Sequence, residues 1–285
     1  MRKIPLFLTA LLAVLLSVIG YLYFSISLFS PAKVTTSLDY TINKSSDSFQ
    51  CYQTDKSVSP FTSQEFNIVV WNIHKGSDPG WQSALRQYAE KADFLLLQEV
   101  TNQQNIQQLI NFPTSIYVSA FSYRKRESGV NLLSKTAPHY FCAGSEQEPW
   151  IIIPKVGVAA AYPLTNGESL LIVNLHLVNF EWTPTNYKNQ LTPMINQISQ
   201  HKGPIILAGD FNSWNDGRIE LLNDLTTKNN LQEVQFTADY RLQFLSHPLD
   251  HIYVRGLNIK VATTTNTESS DHNPLFATFT IKDNQ

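Results

Sequence analysis

The sequence is poor in cysteine and carries no excess of positive charge, and each shortage argues against a class of protein. Its 285 residues include two cysteines, Cys51 and Cys142, and neither belongs to a Cys-x-x-Cys or Cys/His grouping. Such groupings hold structural zinc, so a zinc site is not expected. The formal net charge is -2, whereas proteins held to nucleic acid mainly by phosphate neutralisation are usually basic. Any binding of nucleic acid would therefore depend on a local patch or on transient contact.

The two cysteines allow two interpretations, and the sequence leaves both open. In an exported protein, an oxidising environment favours a disulfide between Cys51 and Cys142, which would tie the segment after the N-terminal run to the rest of the chain. In a cytosolic protein they would be two unrelated small side chains. The choice depends on where the protein is located.

Charged residues are also absent from residues 4–29, which form a long apolar run. The apolar region of a cleavable signal has roughly 7–15 residues and ends at a small-residue cleavage site. This run is longer, and its exit, Ser30-Pro31-Ala32-Lys33, is not a convincing site of that kind. It reaches the roughly 20 residues that cross the hydrocarbon core of a membrane as a helix. We predict an uncleaved transmembrane anchor at residues 1–30, with a cleaved signal as the alternative.

The charges that flank this run predict its orientation. Arg2, Lys3 and the α-amine precede it, and only Lys33 follows closely. The positive-inside rule then places the N-terminus in the cytoplasm and the rest of the chain outside it, with a cytoplasmic domain as the alternative. Residues 31–64 are rich in Ser, Thr, Asn, Asp and Lys, and they indicate a polar linker with at most one short strand. Residues 65–282 indicate a single folded domain.

Within this domain, apolar β-branched runs alternate with stretches of helical spacing. Thr165-Asn166-Gly167 separates two of the runs, and its Asn-Gly pair is a strong hairpin signal. The patterns predict strands at 66–71, 93–97, 130–133, 139–142, 156–162, 170–177, 204–208, 251–254, 258–262 and 275–280, and helices at 80–91, 102–110, 187–200 and 218–228. Many strands with interspersed helices favour an α+β fold in which helices flank two packed sheets.

Polar residues that can carry chemistry follow several of the apolar runs. Each one alone is most often a turn residue or a solvated group. They are Asn72, Glu99, Asn174, His176, Asp210, Asn212, Asp250, Asp271 and His272. Their recurrence at the ends of predicted strands is what suggests a shared site.

Together these residues supply three kinds of group that suit phosphoester hydrolysis. Glu99, Asp271 and the amide of Asn72 could form an all-oxygen site for a hard cation such as Mg²⁺. Asp210 and Asn212 could position and deprotonate water. The two histidines, at 176 and 272, could hydrogen-bond phosphate oxygens or carry protons.

At these motifs the chain resembles the endonuclease/exonuclease/phosphatase superfamily, which has a DNase I-like fold. Within it the chain is most similar to the bacterial YafD-like group. The motifs occur in the order of the superfamily: Trp71-Asn72-Ile73, Gln98-Glu99, Ser128-Gly129-Val130-Asn131-Leu132-Leu133-Ser134, Asn174-Leu175-His176, Gly209-Asp210-Phe211-Asn212, Leu249-Asp250-His251-Ile252 and Ser270-Asp271-His272-Asn273-Pro274. The resemblance covers residues 65–281 and implies a four-layer α/β/β/α sandwich of two mixed sheets. The predicted anchor and linker lie outside the resemblance. The likeness to a bacterial group, together with the orientation predicted from the flanking charges, leads us to expect an inner-membrane protein whose catalytic domain lies in the periplasm.

The resemblance assigns a role to each residue of the metal and water sites. Glu99 would be the main metal ligand, assisted by Asn72 and Asp271, with Mg²⁺ as the cation and Mn²⁺ as a substitute. Asp210, held beside Asn212, would activate the attacking water. The metal would neutralise the negative charge that develops on the phosphate.

The remaining residues would act on the phosphate. Asn212 and Asn174 would contact the scissile phosphate, and His176 would lie on the phosphate or leaving-group side. His272, oriented by Asp250, would stabilise the transition state or act as the base. The resemblance leaves open whether Asp210 or His272 is that base.

The substrate and the other charged groups are less defined. The phosphate ester is expected to be a phosphodiester of a nucleic acid, with a lipid head group or an inositol phosphate as the alternative, and the domain is expected to be monomeric. A tethered binding protein that keeps the fold without turnover is the alternative from another class. Arg124-Lys125-Arg126 is read as a solvated turn or a phosphate contact. His74 is read as a loop residue, and His139, His201 and His247 as structural or surface groups.

Overall fold

Two mixed β-sheets with helices on their outer faces form the folded part of the chain. The computed structural model describes residues 3–46, 48–54 and 57–282. The helices are α1 (Lys3–Ser25), α2 (Trp81–Lys91), α3 (Ile106–Ile110), α4 (Thr185–Gln200) and α5 (Asp216–Lys228), with single 3₁₀ turns at His74–Gly76 and Asn102–Gln104. The strands are β1 (Ile26–Thr36), β2 (Tyr40–Ser45), β3 (Phe49–Thr54), β4 (Glu65–Asn72), β5 (Phe94–Thr101), β6 (Thr114–Tyr123), β7 (Arg126–Ser134), β8 (Tyr140–Gln147), β9 (Pro154–Pro163), β10 (Ser169–His176), β11 (Ile205–Asp210), β12 (Gln232–Glu233), β13 (Gln243–Phe244), β14 (His247–Pro248), β15 (Asp250–Arg255), β16 (Leu257–Thr264) and β17 (Leu275–Ile281).

Each sheet contains one parallel pair of strands among antiparallel neighbours. The first sheet has the order β1-β6-β7-β5-β4-β17-β16, and its parallel pair is β4 with β5. The second has the order β12-β15-β11-β10-β9-β8-β3-β2, and its parallel pair is β10 with β11. The short strands β13 and β14 form a separate hairpin. The predicted arrangement of two mixed sheets is confirmed.

Three apolar clusters hold the layers together. The largest lies between the sheets and includes Phe66, Phe94 and Tyr162. A second packs α4 and α5 against the second sheet, and a third packs α2 and α3 against the first. Strands covered on both faces bury nearly every side chain, which explains why β4, β5, β10 and β11 appear as continuous apolar runs in the sequence. The four-layer α/β/β/α order is confirmed.

The interpretation of residues 31–64 as a polar linker is wrong. Strand β1 pairs with β6 in the first sheet, and the β2–β3 hairpin extends the second sheet beside β8. Ala32, Phe49 and Tyr52 are buried. Edge strands have a solvated face and tolerate Ser, Thr and Lys, so their composition resembles that of a loop. Residues 47, 55 and 56 of this segment lie outside the described part of the chain.

The N-terminal helix is long and apolar enough to cross a membrane. Its window Leu8–Ser25 has a mean hydropathy of 2.0, and none of it is buried against the domain. The helix ends at Ser25 and β1 begins at the next residue, five positions before the predicted end of the anchor at residue 30. Arg2, on which the predicted orientation depends, lies outside the described residues.

Strand β6 is a second difference between the structure and the sequence-based prediction, because the sequence pattern predicted no strand at Thr114–Tyr123. Its serines at 115, 119 and 122 and its Thr114 give it the appearance of a loop, although all four are buried. The predicted Asn-Gly hairpin is confirmed between β9 and β10, where Gly167 has a φ of +85°.

Cys51 and Cys142 form a disulfide, which decides between the two interpretations of these residues. They lie directly opposite each other on β3 and β8 and are separated by 91 positions in the sequence. The bond therefore attaches the edge hairpin to the interior of the second sheet. A crosslink that closes a long loop restricts the unfolded chain and stabilises the folded one.

We expect loss of this bond to destabilise the protein. The Cys51→Ser, Cys142→Ser double variant should lose about 2–5 kcal/mol of unfolding free energy. Urea unfolding of the full chain in detergent, followed by fluorescence, measures the change. Equal unfolding midpoints for the double variant and the oxidised wild type would contradict the stabilising role.

Candidate active site

The polar residues predicted from the sequence meet where the central strands of both sheets end. In the first sheet β4 ends at Asn72, and in the second β10 and β11 end side by side at His176 and Asp210. Parallel strands bring their carboxyl ends to the same edge of a sheet. Glu99 reaches this edge differently: it lies in a bulge of β5 with a φ of +53°, which redirects its side chain.

Asp210 is the centre of this arrangement and is buried. One carboxylate oxygen, Oδ2, accepts a hydrogen bond of 3.0 Å from Asn72 Nδ2, and Oδ1 accepts one of 3.0 Å from the backbone N–H of Asn212. The ring nitrogens Nε2 of His176 and His272 lie 3.4 and 3.9 Å from Oδ2. Burial raises the pKa of Asp210, and the charge of His272 offsets this in part.

His272 is held by Asp250 in the predicted pair. Its Nδ1 lies 2.7 Å from Asp250 Oδ2, which leaves Nε2 directed at Asp210. Strand β15 places Asp250 directly opposite Asp210, and the backbone carbonyl of His272 accepts a hydrogen bond from Trp71. Burial alone would lower the pKa of His272, but the charge and hydrogen bond of Asp250 outweigh it and raise that pKa. The ring therefore favours the protonated, donating form.

A lysine that the sequence analysis did not single out contacts His176. Lys155, near the start of β9, places Nζ 2.8 Å from His176 Nε2 and 3.8 Å from the fully buried carboxylate of Glu148. Burial and the adjacent ammonium hold the pKa of His176 well below its ordinary value, so the ring is neutral. No motif surrounds Lys155 in the sequence, and its position depends on the pairing of β9 with β10.

Glu99 lines an open cleft of about 320 Å³ together with Lys155 and His176. Lys75, also absent from the predicted site, forms an ion pair with Glu99. Burial opposes ionisation of Glu99, but the ammonium groups of Lys155 and Lys75 outweigh burial and lower the pKa of Glu99. Glu99 is therefore ionised, and its negative charge can attract a cation.

The donor chemistry of Glu99 fits a hard divalent cation, because it offers only carboxylate oxygens. Asn72 directs Oδ1 to the backbone N–H of His74, at 3.0 Å, and its nitrogen to Asp210. Asp271 is 52% exposed at the rim, with Oδ1 3.8 Å from His74 Nδ1. The roles of these two as further metal ligands therefore stay a prediction.

A second group of possible metal ligands overlaps the proposed catalytic residues. Ligand atoms of Asp210, Asp250 and His272 all lie within 4.8 Å of one another. The cluster places carboxylate and imidazole groups beside the cleft, and it is built from β11, β15 and the loop before β17.

The contacts of Asn174 do not support its predicted role as a phosphate ligand. Its Nδ2 donates to the backbone carbonyls of Leu97 and Asn131, and its Oδ1 accepts from Gln98 Nε2 at 2.7 Å. The side chain is fully buried between the sheets. Both amide hydrogens are therefore used to join β10 to β5 and β7, and none is available to a substrate.

Asn212 lies beside Asp210, as the sequence predicted. Its φ of +47° turns the chain immediately after Asp210, and its backbone N–H holds that carboxylate. Its Nδ2 donates to the backbone carbonyl of Leu177, and its own carbonyl accepts from the buried Arg218. Arg218 thereby fixes the loop that carries Asn212.

The other histidines lie at the rim or away from the site. His74 Nδ1 lies 2.8 Å from Asp78 at the rim, which agrees with a loop role close to Asn72. His201 contacts the backbone carbonyl of Ser169. His247 lies 3.1 Å from an exposed carboxylate of Asp216. The ring of His139 makes an edge-to-face contact with the ring of Tyr140, the first residue of β8.

Comparisons with known proteins identify relatives of the chain and solved structures that share its fold. The model of the endonuclease/exonuclease/phosphatase family matches residues 69–272. A UPF0294 protein of Vibrio parahaemolyticus is 40% identical over 222 residues, covering 77% of this chain and 79% of the relative. An endonuclease/exonuclease/phosphatase from Beutenbergia cavernae has a TM-score of 0.61 at 13% identity, covering 77% of this chain and 72% of that one. D. rerio TDP2, solved with a single strand DNA product, has a TM-score of 0.59 at 16% identity, and the match covers 76% of this chain and 99% of that one.

The role of Asn174 as a link between the sheets can be tested by its effect on stability. Asn174→Ala should lower the unfolding free energy by about 2–4 kcal/mol, because buried carbonyls lose their donor. Urea unfolding measures the change. Asn258→Ala, at an exposed position of β16, is the matched control and should change it by less than about 0.5 kcal/mol. An Asn174→Ala variant as stable as this control would contradict the role.

Proposed function

Because the chain belongs to the endonuclease/exonuclease/phosphatase family, we propose that it hydrolyses a phosphodiester by in-line attack of water, assisted by a divalent cation. The observation that carries the proposal is the buried carboxylate of Asp210, which lies within 3.9 Å of two histidine nitrogens and accepts two hydrogen bonds. A carboxylate in such a setting is positioned to receive a proton from water. A purely structural aspartate would not need two histidines directed at one oxygen.

The hydrogen bonds around Asp210 suggest which group acts as the base and which donates to the phosphate. The Nδ1 atom of His272 is hydrogen-bonded to Asp250. The Nε2 atom of His272 therefore faces the site and can donate to a phosphate oxygen. Asp210 is then the better candidate for the base. Lys155 directs its ammonium at His176 beside the cleft and would add positive charge near the phosphate.

The cation would be held chiefly by Glu99, with Asn72 and Asp271 as further ligands, and Mg²⁺ is the expected ion with Mn²⁺ as a substitute. When bound, such a cation polarises the phosphoryl oxygens and neutralises developing charge. Glu99 lines the same cleft as His176 and Lys155. The all-oxygen donor chemistry of these residues supports a hard cation over zinc.

Catalytic roles predict a steep loss of activity in selected variants. Asp210→Asn and His272→Gln should each lower hydrolysis of bis(p-nitrophenyl) phosphate by about 10²–10⁴-fold, and Lys155→Met should lower it less. The full chain is assayed in detergent with Mg²⁺, and Glu220→Gln, on the exposed side of α5, is the control. If wild type and the Asp210→Asn variant are equally inert on phosphodiesters, the fold serves binding rather than turnover.

Removal of the metal should abolish the activity and readdition should restore it. Chelation by EDTA should lower the rate of the wild type to that of the Asp210→Asn variant, and Mg²⁺ or Mn²⁺ should recover it. Glu99→Gln should raise the Mg²⁺ concentration needed for half-maximal rate, because it removes the carboxylate charge. Activity that persists unchanged in EDTA would overturn the metal assignment.

We also propose that the domain lies in the periplasm, anchored in the bacterial inner membrane by α1. The disulfide between Cys51 and Cys142 supports an oxidising compartment. A phosphatase reporter that is active only after export, fused to the C-terminus, should be active in cells. Activity limited to a reporter that works only in the cytoplasm would place the domain on the other side.

A further inference from the structure

We propose that the catalytic domain rests directly on a phospholipid bilayer, with its cleft opening to the lipid surface, and that the substrate is the phosphodiester of a membrane phospholipid. The choice of substrate rests on the proposed hydrolysis, and the docking rests on the proposed anchoring of the chain by α1. Three features carry the docking: the junction of α1 with β1, a basic turn, and an exposed apolar surface beside the cleft.

The junction fixes where the domain lies relative to α1. Helix α1 ends at Ser25, and β1 begins at Ile26 without an intervening residue. Ile26 pairs with Tyr123 at the end of β6, and the carbonyl of Ser25 accepts a hydrogen bond of 2.7 Å from the N–H of Arg124. When α1 spans a membrane, the turn between β6 and β7 must therefore lie at the bilayer surface.

The same hairpin forms one wall of the cleft. Phe121 of β6 and Ser128 and Gly129 of β7 line it. Phe121 precedes Tyr123 by two residues, a distance of about 7 Å along a strand. The cleft thus begins close to the membrane surface rather than on the far side of the domain.

The turn itself carries the charge that suits this position. Arg124, Lys125 and Arg126 are all exposed. Their positive charges lie where α1 leaves the domain, at the level of the lipid phosphates. Basic residues next to a membrane span are attracted to anionic head groups.

Another part of the cleft wall continues into an exposed apolar surface, which we call the aromatic ledge. It consists of Trp150, Ile151, Ile152, Phe180 and Trp182, and the half-buried Trp214 supports it through a ring contact with Trp182. Ile151 and Phe180 belong to both the ledge and the cleft wall. Trp182 is 73% exposed and Ile152 is 56% exposed. Tryptophan is enriched at the membrane–water interface, where its ring lies at the head-group level.

The ledge is held in place at an energetic cost. Ile152 has a φ of +63°, a conformation that β-branched residues rarely adopt. The fully buried Glu148 accepts hydrogen bonds of 3.0 and 2.9 Å from the N–H groups of Asn179 and Phe180 and so joins the two loops of the ledge. Strained backbone of this kind is found more often at binding segments than elsewhere.

The geometry of the rings favours lipid over nucleic acid as that partner. Binding of single strands uses exposed ring faces on which bases stack. Here Trp150 meets Trp182 with an interplanar angle of 63°, and Trp182 meets Trp214 at 80°. An edge-to-face arrangement does not form the row of parallel ring faces on which successive bases stack, and the isoleucines have no ring at all.

Hydrolysis of a phospholipid at this surface requires one proton to leave the attacking water and one to reach the leaving alcohol. The oxygen of water forms a bond to phosphorus and gives its proton to Asp210, while one ester P–O bond of the lipid breaks. The leaving alcohol oxygen takes a proton from His272 Nε2. The products are an alcohol and a phosphomonoester, one of which carries the acyl chains.

Docking can be measured with bromine-labelled lipids, because α1 contains no tryptophan. The full chain is placed in vesicles of phosphatidylethanolamine and phosphatidylglycerol with or without brominated acyl chains. Wild-type fluorescence should be quenched by the brominated lipid, and the Trp150→Ser, Trp182→Ser double variant should lose most of that quenching. Equal fractional quenching in both proteins would overturn the docking.

The substrate is tested with the same pair of proteins. The double variant should hydrolyse the vesicle phospholipid at least about five-fold more slowly than wild type, while its rate on soluble bis(p-nitrophenyl) phosphate should stay within about two-fold. Val261→Ser, at an exposed apolar position of β16, is the control and should change neither rate.

The outcomes separate the docking, the substrate and the proposed function. Quenching at the ledge, with wild type cleaving soluble phosphodiesters or single-stranded DNA but not vesicle lipid, would overturn the lipid substrate. Quenching with a wild type inert on every phosphodiester would contradict the proposed function while supporting the docking. Protection of the ledge by single-stranded DNA instead of lipid would identify a nucleic-acid surface and overturn the proposal.

Discussion

The hydrogen bonds that cross from one sheet to the other are the constraint on which the site depends. Asn72 of the first sheet donates to Asp210 of the second, and Gln98 of the first donates to Asn174 of the second. All four side chains are buried, and a buried polar group without a partner is destabilising. Each sheet therefore satisfies the polar groups of the other. The site exists only when the two sheets are packed, which couples the chemistry to the stability of the fold.

The continuity of α1 with β1 is the second constraint. A flexible linker would let the domain take many positions relative to the anchor, whereas a strand locked into the sheet leaves few. Because β1 pairs with β6, and β6 forms part of the cleft wall, the direction of the cleft follows from the path of the backbone. The aromatic ledge adjoins the same cleft through Ile151 and Phe180. Helix α1 is thus joined to the cleft by paired strands and not by a linker.

The comparisons and the structure together confirm the superfamily and the fold that seven sequence motifs indicated. The family model spans residues 69–272, and the UPF0294 relatives correspond to the YafD-like group. Solved neighbours share the fold at 13% and 16% identity, so the sheets tolerate extensive substitution. The loop at residues 148–153 contributes to the wall of the cleft, and such loops are where proteins of one fold differ in what they bind.

The sequence by itself determined the central strands and most of the polar residues at their ends, because a buried strand produces an apolar run and its polar terminus stands out. It could not identify the edge strands β1 and β2, their neighbour β3 or the serine-rich β6, since half-solvated or polar strands resemble loops. Only the tertiary structure decided that Asn174 links the sheets, that Lys155 and Lys75 face the site, and that the cysteines are bonded. Each of these contacts joins residues that are many positions apart in the sequence. The local sequence does not determine which strands will lie side by side, so it could not predict the contacts.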